Sequence, residues 1–420
     1  MNNIIKMLSL WISIALLLPI TGSAQSNSIN GFSPERLQRI DATIQQYIDS
    51  NWIKGAAALI QKNDQEVYYK AFGIDAPETA MKKDAIFRIA SQTKAITSIA
   101  VMILFEEGKF LLDDPISKYI PAFKNPQILD KFNEKDSTYS TKPASREITI
   151  RDLLTHTSGI DYAQIGSPQM KAIYQKAGVV AGFSPTKIKL ADMINVLGKL
   201  PLVHNPGEKF TYSLSIDVLG RLVEVASGQE LPAFLKERIF DPLEMNDTYF
   251  DLPKDKQNRL VKVYTEDKNS KKVIPWENDA ASGLTIDYPI NGNGLYAGGA
   301  GLVSTLKDYA KFLQMILNKG SYKGKQVLAR HTVDMISQNQ IGALSLGPDK
   351  FGLGFQITTK EGSGKLGVSE GSLSWGGFFG TVYWADPKEQ LIGLFFVQQS
   401  PITHGELGDK FKVLVYQALL

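Results

Sequence analysis

One segment of the chain is apolar over almost its whole length and constrains the fold more than any other. It runs from Ala95 to Phe105, and its hydrophobic side chains cover nearly the whole circumference of a helix. A helix that is apolar on all sides belongs inside a protein, with other elements packed around it. The chain has 420 residues, of which 43% are hydrophobic, and this is enough for one large or two modest domains. We therefore expect a globular fold built around this helix.

The apolar segment is preceded by a serine and a lysine three residues apart, Ser91 and Lys94. Because burial penalises the charged form of lysine, Lys94 is expected to be a neutral amine that takes a proton. At this spacing its amine can reach the Ser91 hydroxyl, and a helix N-terminus favours developing negative charge on that oxygen. The pattern is typical of an activated nucleophile. The alternative is a capping serine followed by a lysine that extends to solvent.

The same spacing occurs twice more, at Ser184 and Lys187 and at Ser304 and Lys307. The helix predicted after Ser304 is amphipathic, so we interpret Ser304 as its N-cap. Its polar face is expected to carry Lys307, Lys311 and Gln314. Ser184 precedes a proline, which is a preferred first helical residue, and it is also interpreted as a cap. Neither lysine has a reason to be buried.

A further candidate nucleophile is Ser369, at the centre of the sequence GVSEG. The pattern G-x-S-x-G marks the nucleophile of α/β-hydrolases when a strand precedes it and a helix follows, with an acid and a histidine downstream. Here glycine-rich strand sequence follows, and His404 is the one later histidine. We therefore interpret Ser369 as a loop serine.

Strand patterns lie at the two ends of the chain, and helical patterns lie between them. The segment GAAALIQKNDQEVYYKAFG predicts two strands joined by a turn, and FGLGFQI, WGGFFGTVYWADP and QLIGLFFVQQ predict strands near the C-terminus. The fold class predicted is α+β, with an antiparallel sheet flanked by helices. The sheet is expected to come from about 25–90 and 350–420, with a large, mostly helical insertion at about 91–349.

Residues 1–24 have the pattern of a secretory signal peptide. One lysine precedes an apolar stretch from Met7 to Leu18, and small residues precede a cut expected near Gln25. A membrane anchor is the alternative, but the apolar run is shorter than the roughly 20 residues that a span needs. We predict export to the periplasm and a mature hydrolase domain, 25–420, with no stable membrane anchor after cleavage.

Composition excludes several classes of partner and chemistry. The formal net charge is +3, and the chain contains no run of five or more like charges of the kind that binds nucleic acid or a membrane surface. The chain has no cysteine, which excludes disulfides and thiolate chemistry. No metal or organic cofactor is implied, because the histidines lack the short spacing of a metal site. The four are His156, His204, His331 and His404. The sequence does not specify an oligomeric state.

Several motifs in a fixed order resemble the serine beta-lactamase-like superfamily. They are SQTK at Ser91, ITIRDLLTHTSGI, PGEKFTYSLSIDVLGRLVE, DPLEMNDTYF, GGAGLVSTLKDYAKF and a late WGG, and they extend from about Trp52 to the C-terminus. More narrowly, the chain resembles the branch that contains class C beta-lactamases, penicillin-binding protein-like members and family VIII carboxylesterases. The resemblance implies a beta-lactamase/transpeptidase-like fold.

The resemblance also implies a partner for Lys94. Tyr212 falls at the family's tyrosine motif, before a helix expected to begin near Ser215, and its phenol would share or relay a proton with Lys94. A buried structural tyrosine is the alternative. In this family Lys94 and Tyr212 would already supply the base, so His156 is not needed for that role although histidine titrates near neutrality. We expect the turn THTSG to order a loop by hydrogen bonding.

In the family's third motif, a strand beside the nucleophile supplies a backbone amide. Trp375, Gly376 and Gly377 occupy that place, so the oxyanion hole would consist of the amides of Ser91 and Phe378. The glycines would let backbone and substrate approach closely. A plain strand bulge is the alternative.

Two positions depart from the lactamase pattern. Leu214 stands where lactamases keep an asparagine, and Trp375 stands where they keep a lysine. Without these polar groups, the substrate cleft formed by Leu214, Trp375, Gly376 and Gly377 is expected to be apolar and to favour esters. We predict a serine hydrolase that acylates Ser91 and acts on small acyl esters. A beta-lactamase or D-alanyl-D-alanine peptidase, acting on an amide, is the alternative, and a penicillin-binding module without turnover is the second.

Overall fold

The computed structural model describes residues 28–278, 284–292 and 294–420, so the leader predicted at 1–24 lies outside the described residues. The α-helices within these ranges are α1 Pro34–Asp49, α2 Thr93–Glu106, α3 Ile150–Leu154, α4 Pro168–Ala177, α5 Leu190–Leu197, α6 Ser215–Ser227, α7 Leu231–Leu235, α8 Tyr288–Asn291, α9 Leu306–Leu317, α10 Arg330–Ile336, α11 Lys360–Leu366 and α12 Leu407–Ala418. Of the helices in the described ranges, none is long and apolar enough to cross a membrane.

The strands were assigned over the same residues. They are β1 Gly55–Lys62, β2 Gln65–Ala76, β3 Thr79–Ala80, β4 Phe87–Arg88, β5 Gln127–Phe132, β6 Tyr139–Pro143, β7 Tyr264–Glu266, β8 Val273–Pro275, β9 Val303–Ser304, β10 Ser321–Tyr322, β11 Lys325–Gln326, β12 Lys350–Phe351, β13 Gln356–Ile357, β14 Leu373–Gly377, β15 Thr381–Asp386 and β16 Leu391–Phe396.

One large antiparallel sheet unites the two ends of the chain. Its strand order is β12-β13-β14-β15-β16-β1-β2-β3, and the N-terminal β1 pairs with the C-terminal β16 through Ala57 and Phe396. Strands β1 and β2 are joined by Asn63 and Asp64, which both adopt the positive φ that a tight hairpin turn requires. The predicted α+β fold, with its sheet assembled from both ends of the chain, is confirmed.

Strand β1 is buried on both faces, because helices cover each side of the sheet. Its alternate residues Ala57 and Leu59 belong to the main core, which also contains α2 and α9. Ala56, Ala58 and Ile60 face the opposite layer, where they pack with α1 and α12. The period of two along the strand therefore divides its side chains between two cores.

The apolar segment forms α2 at the centre of the main core. All its residues from Thr93 to Leu104 are buried, as the sequence predicted. The insertion also contains two-stranded sheets that the sequence did not predict, including β5 with β6. All five residues of β6 are exposed, so no hydrophobic alternation marked it as a strand.

The N-cap predicted at Ser304 is wrong. Ser304 ends β9, and the side chain of Thr305 caps α9 by accepting a hydrogen bond from the Asp308 amide. Gln314, predicted on the exposed face, is buried and accepts a hydrogen bond from Gln61. The sheet covers more of α9 than the width of its apolar stripe indicates.

The cap predicted at Ser184 is also wrong, because α5 begins only at Leu190. The Ser184 hydroxyl instead accepts a hydrogen bond from the Thr186 amide within a turn. A proline after a serine favours a helix start only when the following residues bury an apolar face.

Candidate active site

Ser91 lies in a strained turn directly before α2. The turn, Ala90–Gln92, is a single 3₁₀ segment, and Ala90 has φ +46°, a conformation that residues with a side chain rarely adopt. The Ala90 methyl group is fully buried in a small cluster with Phe183 and Phe379. Packing therefore maintains the strain, as is common at functional sites, and half-buried Ser91 lines a cleft.

Lys94 lies one helical turn further, with only 3% of its surface exposed. Its Nζ donates to Ser91 Oγ at 3.2 Å, to the Gly299 carbonyl oxygen at 2.7 Å and to the Tyr162 hydroxyl at 3.4 Å. An ammonium group has three N–H donors and no acceptor. The three oxygens therefore match the charged form of Lys94.

The electrostatic surroundings of Lys94 lead to the same conclusion. Burial lowers the pKa of the Lys94 ammonium, but Tyr162, Tyr212 and Asp217 together raise it by more, so the pKa lies above the ordinary lysine value. The prediction that burial holds Lys94 neutral is wrong. The sequence shows that α2 is buried, but it does not show which polar groups other segments bring to the lysine.

Tyr212 completes the contact with the serine. Its hydroxyl donates to Ser91 Oγ at 2.6 Å, and α6 begins at Ser215 as predicted. Its ring is stacked on Tyr162, with 5.5 Å between centroids, and lies 5.4 Å from the ring of Trp375. Lys94 Nζ lies 4.6 Å from the centre of the Tyr212 ring. The structure therefore brings Ser91, Lys94 and Tyr212 together.

Tyr162 is a residue of the site that the sequence analysis missed. Only 6% of its surface is exposed, and burial raises the pKa of its hydroxyl, although Lys94 opposes the shift. Asp161 fixes its backbone by accepting hydrogen bonds from the Tyr162 amide and from Ser167. The one local signal is that Tyr162 follows the THTSG turn closely; its contact with Lys94 depends on the tertiary fold.

Asp217, in the first turn of α6, was also missed. Its Oδ1 accepts a hydrogen bond from the Gly299 amide at 3.2 Å, while the carbonyl oxygen of Gly299 accepts from Lys94. Its Oδ2 is buried without a partner among the described residues. Burial raises the pKa of Asp217, and the charge of Lys94 opposes this. A carboxyl group in a mostly apolar helix was the available signal.

Gly299 separates Asp217 from Lys94 at close range. A Cβ atom on Gly299 would collide with the Asp217 carboxylate, so only glycine permits this approach. We call Lys94 and the four side chains around its ammonium the lysine pocket. They are Ser91, Lys94, Tyr162, Tyr212 and Asp217.

His156 supports the lysine pocket from behind. It is fully buried, and its ring lies 4.9 Å from the Tyr212 ring. Its Nδ1 lies 3.1 Å from Ser213 Oγ, and its carbonyl oxygen accepts from the Thr211 amide. Burial lowers the pKa of His156 well below the ordinary value, and the charge of Lys94 acts in the same direction. These contacts agree with the interpretation that the THTSG turn orders a loop.

The remaining sequence candidates lie away from this site. His204 bonds to Thr211, His404 stacks on Trp52, and His331 is on α10. Ser369 follows α11 in a half-buried loop. Within the described ranges, no group of three or more histidine, aspartate and glutamate side chains is arranged to hold a metal ion.

Strand β14 approaches the serine turn closely. A Cβ atom on Gly377 would collide with the carbonyl group of Ile89, so the end of the strand lies against the backbone just before Ser91. Phe378 follows, 38% exposed, and lines the same cleft as Ser91. The predicted partners of the oxyanion hole are therefore on neighbouring segments.

The cleft at Ser91 has a volume of about 750 Å³. Its far side is formed by helix α4 together with residues 178–186, and we call these two segments the cleft wall. The loop before α4 also lines the cleft. Most of the lining side chains are apolar. They include Ala163, Ile165, Val180, Ala181, Phe183 and Phe378. The sequence predicted an apolar cleft but not these residues.

Leu214 was predicted to line the substrate cleft, and this prediction is wrong. It has no exposed surface, because its side chain belongs to the main core beneath α6. Trp375 is half-buried, and it lines a small depression beside Ser91 with Phe351 and Tyr383. Trp375 therefore contributes to the surface near the serine, whereas Leu214 contributes packing.

The chain is similar to known esterases over most of its length. The chain is 30% identical over 403 residues to lovastatin esterase of Penicillium rubens, covering 89% of this chain and 96% of that protein. It is 27% identical over 361 residues to esterase EstB of Burkholderia gladioli, covering 83% and 86%. The solved structure of EstCE1, a hydrolase with promiscuous acyltransferase activity, superimposes with a TM-score of 0.78 at 24% identity, covering 91% of this chain and 99% of that one.

The family assignment rests on almost the whole chain. The model of the family named Beta-lactamase matches residues 40–417, a range that includes the sheet, the helical insertion and every residue of the lysine pocket. The chain therefore belongs to the beta-lactamase family and is a serine hydrolase similar to the carboxylesterases of that family.

Proposed function

We propose that this protein is a carboxylesterase that forms an acyl-enzyme at Ser91. The observation that carries the proposal is the double contact at Ser91 Oγ, with the Tyr212 hydroxyl at 2.6 Å and Lys94 Nζ at 3.2 Å. A serine in reach of a base and a cation is the arrangement of an activated nucleophile. The esterases among the relatives support the same reaction class.

The base in this proposal is the pair formed by Lys94 and Tyr212 after the pair has lost one proton. Tyr212 contacts Ser91 more closely, and the Lys94 ammonium lies against its ring, so the Tyr212 oxygen accepts the Ser91 proton. Ser91 Oγ then bonds to the ester carbonyl carbon. The proton passes to the departing alcohol as the ester bond breaks, and water releases the acyl group as a carboxylic acid.

The negative charge of the tetrahedral intermediate falls on the former carbonyl oxygen. In the proposal this oxygen is stabilised by the backbone amides of Ser91 and Phe378, whose segments are in contact where Gly377 meets Ile89. Preorganised amide donors of this kind lower the barrier because they need no rearrangement during the reaction.

The substrate proposed is a small acyl ester. Trp375 stands beside Ser91 where lactamases of this branch keep a cation, and most side chains along the cleft are apolar. A site without paired polar groups favours ligands that lack them. The volume of about 750 Å³ also leaves room for an alcohol much larger than a short acyl chain.

The experiment compares p-nitrophenyl butyrate with nitrocefin at one pH. We expect the ester to have the higher kcat/KM and nitrocefin to react poorly or not at all. If the kcat/KM for nitrocefin is about tenfold higher than that for the ester, which corresponds to roughly 1.4 kcal/mol of transition-state preference, the protein is a beta-lactamase instead.

Intact mass measured during both reactions separates an enzyme from a binding module. A turning-over esterase gives a transient acyl adduct that disappears when the ester is consumed. A stable stoichiometric adduct with penicillin, without ester turnover, would identify the protein as a non-catalytic penicillin-binding module.

We also propose that the protein is exported to the periplasm by residues 1–24. The proposal rests on the sequence pattern of that segment alone. N-terminal sequencing of the protein recovered from a periplasmic fraction is expected to begin near Gln25. Recovery of the uncleaved chain from the cytoplasm would contradict it.

A further inference from the structure

The charge distribution in the cleft is uneven. Among the described residues that line it, Lys171 is the only charged side chain, and no carboxylate lines it there. The cleft is also lined by the side-chain amides of Gln164 and Gln175, and most of the other lining side chains are apolar. A neutral ester would need none of these three groups.

Lys171 is half-buried, and no ion pair or hydrogen bond of its ammonium is found within the described parts of the chain. Lys176, on the same helix, is exposed, and its Nζ lies 3.5 Å from the Asp136 carbonyl oxygen. The ammonium group of Lys171 therefore has its three N–H donors available to a ligand. An anion in the cleft would supply the missing partner.

Helix α4 presents Lys171 and Gln175 to the cleft together. The two residues are four apart, which places them one above the other on one helix face. A second face anchors the helix, because Met170, Ile173 and Tyr174 are buried in the main core. Lysine and glutamine on one rigid face can donate to the two oxygens of a single carboxylate.

The anchor also connects α4 to the lysine pocket. The Tyr174 hydroxyl accepts a hydrogen bond from the amide of Asp161, the residue before Tyr162. The backbone at Lys171 is therefore fixed relative to the serine turn, and recognition of one end of a substrate requires such a fixed base for the side chain.

We propose that Lys171, with Gln175, forms a subsite for a carboxylate, and that the substrates are esters with a free carboxylate at one end. The inference rests on the proposed ester hydrolysis at Ser91 and defines its substrate class. The carboxylate binds at the cleft wall while the ester carbonyl lies at Ser91.

The test compares matched anionic and neutral esters. Mono-p-nitrophenyl glutarate has a carboxylate on the acyl side, and 4-(butyryloxy)benzoate has one on the alcohol side; the methyl ester of each acid is its neutral counterpart. For at least one pair, we expect the wild-type protein to prefer the anionic member in kcat/KM. This preference should decrease as salt is added, because salt screens partly exposed charges.

The variants then assign the preference to one side chain. Lys171→Met should lower the anionic-to-neutral ratio by about tenfold, as expected for a hydrogen bond to a charged group. Lys171→Glu should lower it further, and Lys171→Arg should restore most of it. Lys176→Met, on the same helix outside the cleft, is the matched control and should leave the ratio unchanged. Melting temperatures of all four variants report on folding.

Two outcomes would overturn the subsite: an equal loss for both members of each pair in Lys171→Met, or an unchanged ratio. Calorimetric binding of 4-(butyryloxy)benzoate to Ser91→Ala separates the two proposals. Binding that depends on Lys171, together with no turnover of any ester by the wild-type protein, would contradict ester hydrolysis alone. Turnover of neutral esters without such binding would contradict the subsite alone.

Discussion

The two sides of Ser91 differ in how firmly their polar groups are held. On one side, the ammonium of Lys94 has three oxygen acceptors, namely Ser91 itself and two buried groups, the Tyr162 hydroxyl and the Gly299 carbonyl. On the other, the cleft wall is partly exposed, and Lys171, the only charged side chain lining the cleft among the described residues, has no ion pair within them. The lysine pocket is thus anchored in the hydrophobic core, with only Ser91 and Tyr212 partly exposed, whereas the cleft wall is part of the surface.

This difference suggests a division of roles. A change in the lysine pocket alters groups that every substrate would meet, so it should affect all esters. A change in the cleft wall should affect only substrates that contact the changed side chain, such as esters whose carboxylate binds Lys171. Binding residues commonly lie on such surface segments, held in place by a rigid scaffold.

The largest effect is expected for Ser91→Ala, because it removes the proposed nucleophile. The kcat/KM for p-nitrophenyl butyrate should fall by at least about 10,000-fold, with no acyl adduct in the intact mass. Ser369→Ala is the control and should be nearly silent, since Ser369 lies in a loop outside the site. Retained turnover in Ser91→Ala would show that the lysine pocket does not act through this serine.

Tyr212→Phe should have the next largest effect. The kcat should fall by roughly 100- to 10,000-fold, the range for a group that transfers protons. Tyr162→Phe should cost less, because its hydroxyl contacts Lys94 at 3.4 Å and makes no contact with Ser91. A loss below about threefold in Tyr212→Phe would make that residue structural and would leave Lys94 as the only base in the pocket.

Asp217→Asn tests the charge within the lysine pocket. The raised pKa of Lys94 keeps its ammonium protonated at neutral pH, and the proposed base forms only after a proton is lost, so kcat/KM should rise as the pH increases. Removing the Asp217 charge lowers the pKa of Lys94, and this rise should move to lower pH by about one unit. Asp192→Asn, exposed on α5, is the control. If the pH dependence of kcat/KM is unchanged in a folded Asp217→Asn variant, Asp217 does not set the charge of Lys94.

The smallest effect is expected for His156→Asn, and it concerns stability. The pKa of His156 is depressed in the folded state, so the unfolded chain binds more protons below about pH 6.5, and stability falls as the pH falls. The wild-type unfolding free energy should therefore decrease by up to about 1.4 kcal/mol more per pH unit than that of the variant. Asparagine tolerates the positive φ at this position. Urea titrations at pH 7 and pH 5.5 provide the measurement, and equal losses would show that His156 titrates in the folded protein.

Local patterns were sufficient to predict most of the sheet and the central helix. The hairpin at 63–64, strand β16 and the buried α2 each follow from a short period of apolar residues and the turns that bound it. The segment WGGFFGTVYWADP is divided by a turn at residues 378–380 between the end of β14 and β15. The contact of Lys94 Nζ with Ser91 Oγ was also predictable from local sequence, because the two residues are three positions apart at the start of a helix. The FGLGFQI segment was less regular than predicted, since it forms only β12 and β13 around a turn at Gly354.

The sequence by itself therefore determined the nucleophile candidate, the buried helix behind it and the pairing of the two chain ends. Only the tertiary structure decided the charge of Lys94 and the residues that surround it. Tyr162 is 68 positions from Lys94 along the chain, and Gly299 is 205. Such contacts depend on how distant segments pack, and no local period records them. The pKa of a buried group depends on those contacts, so it is a property of the fold.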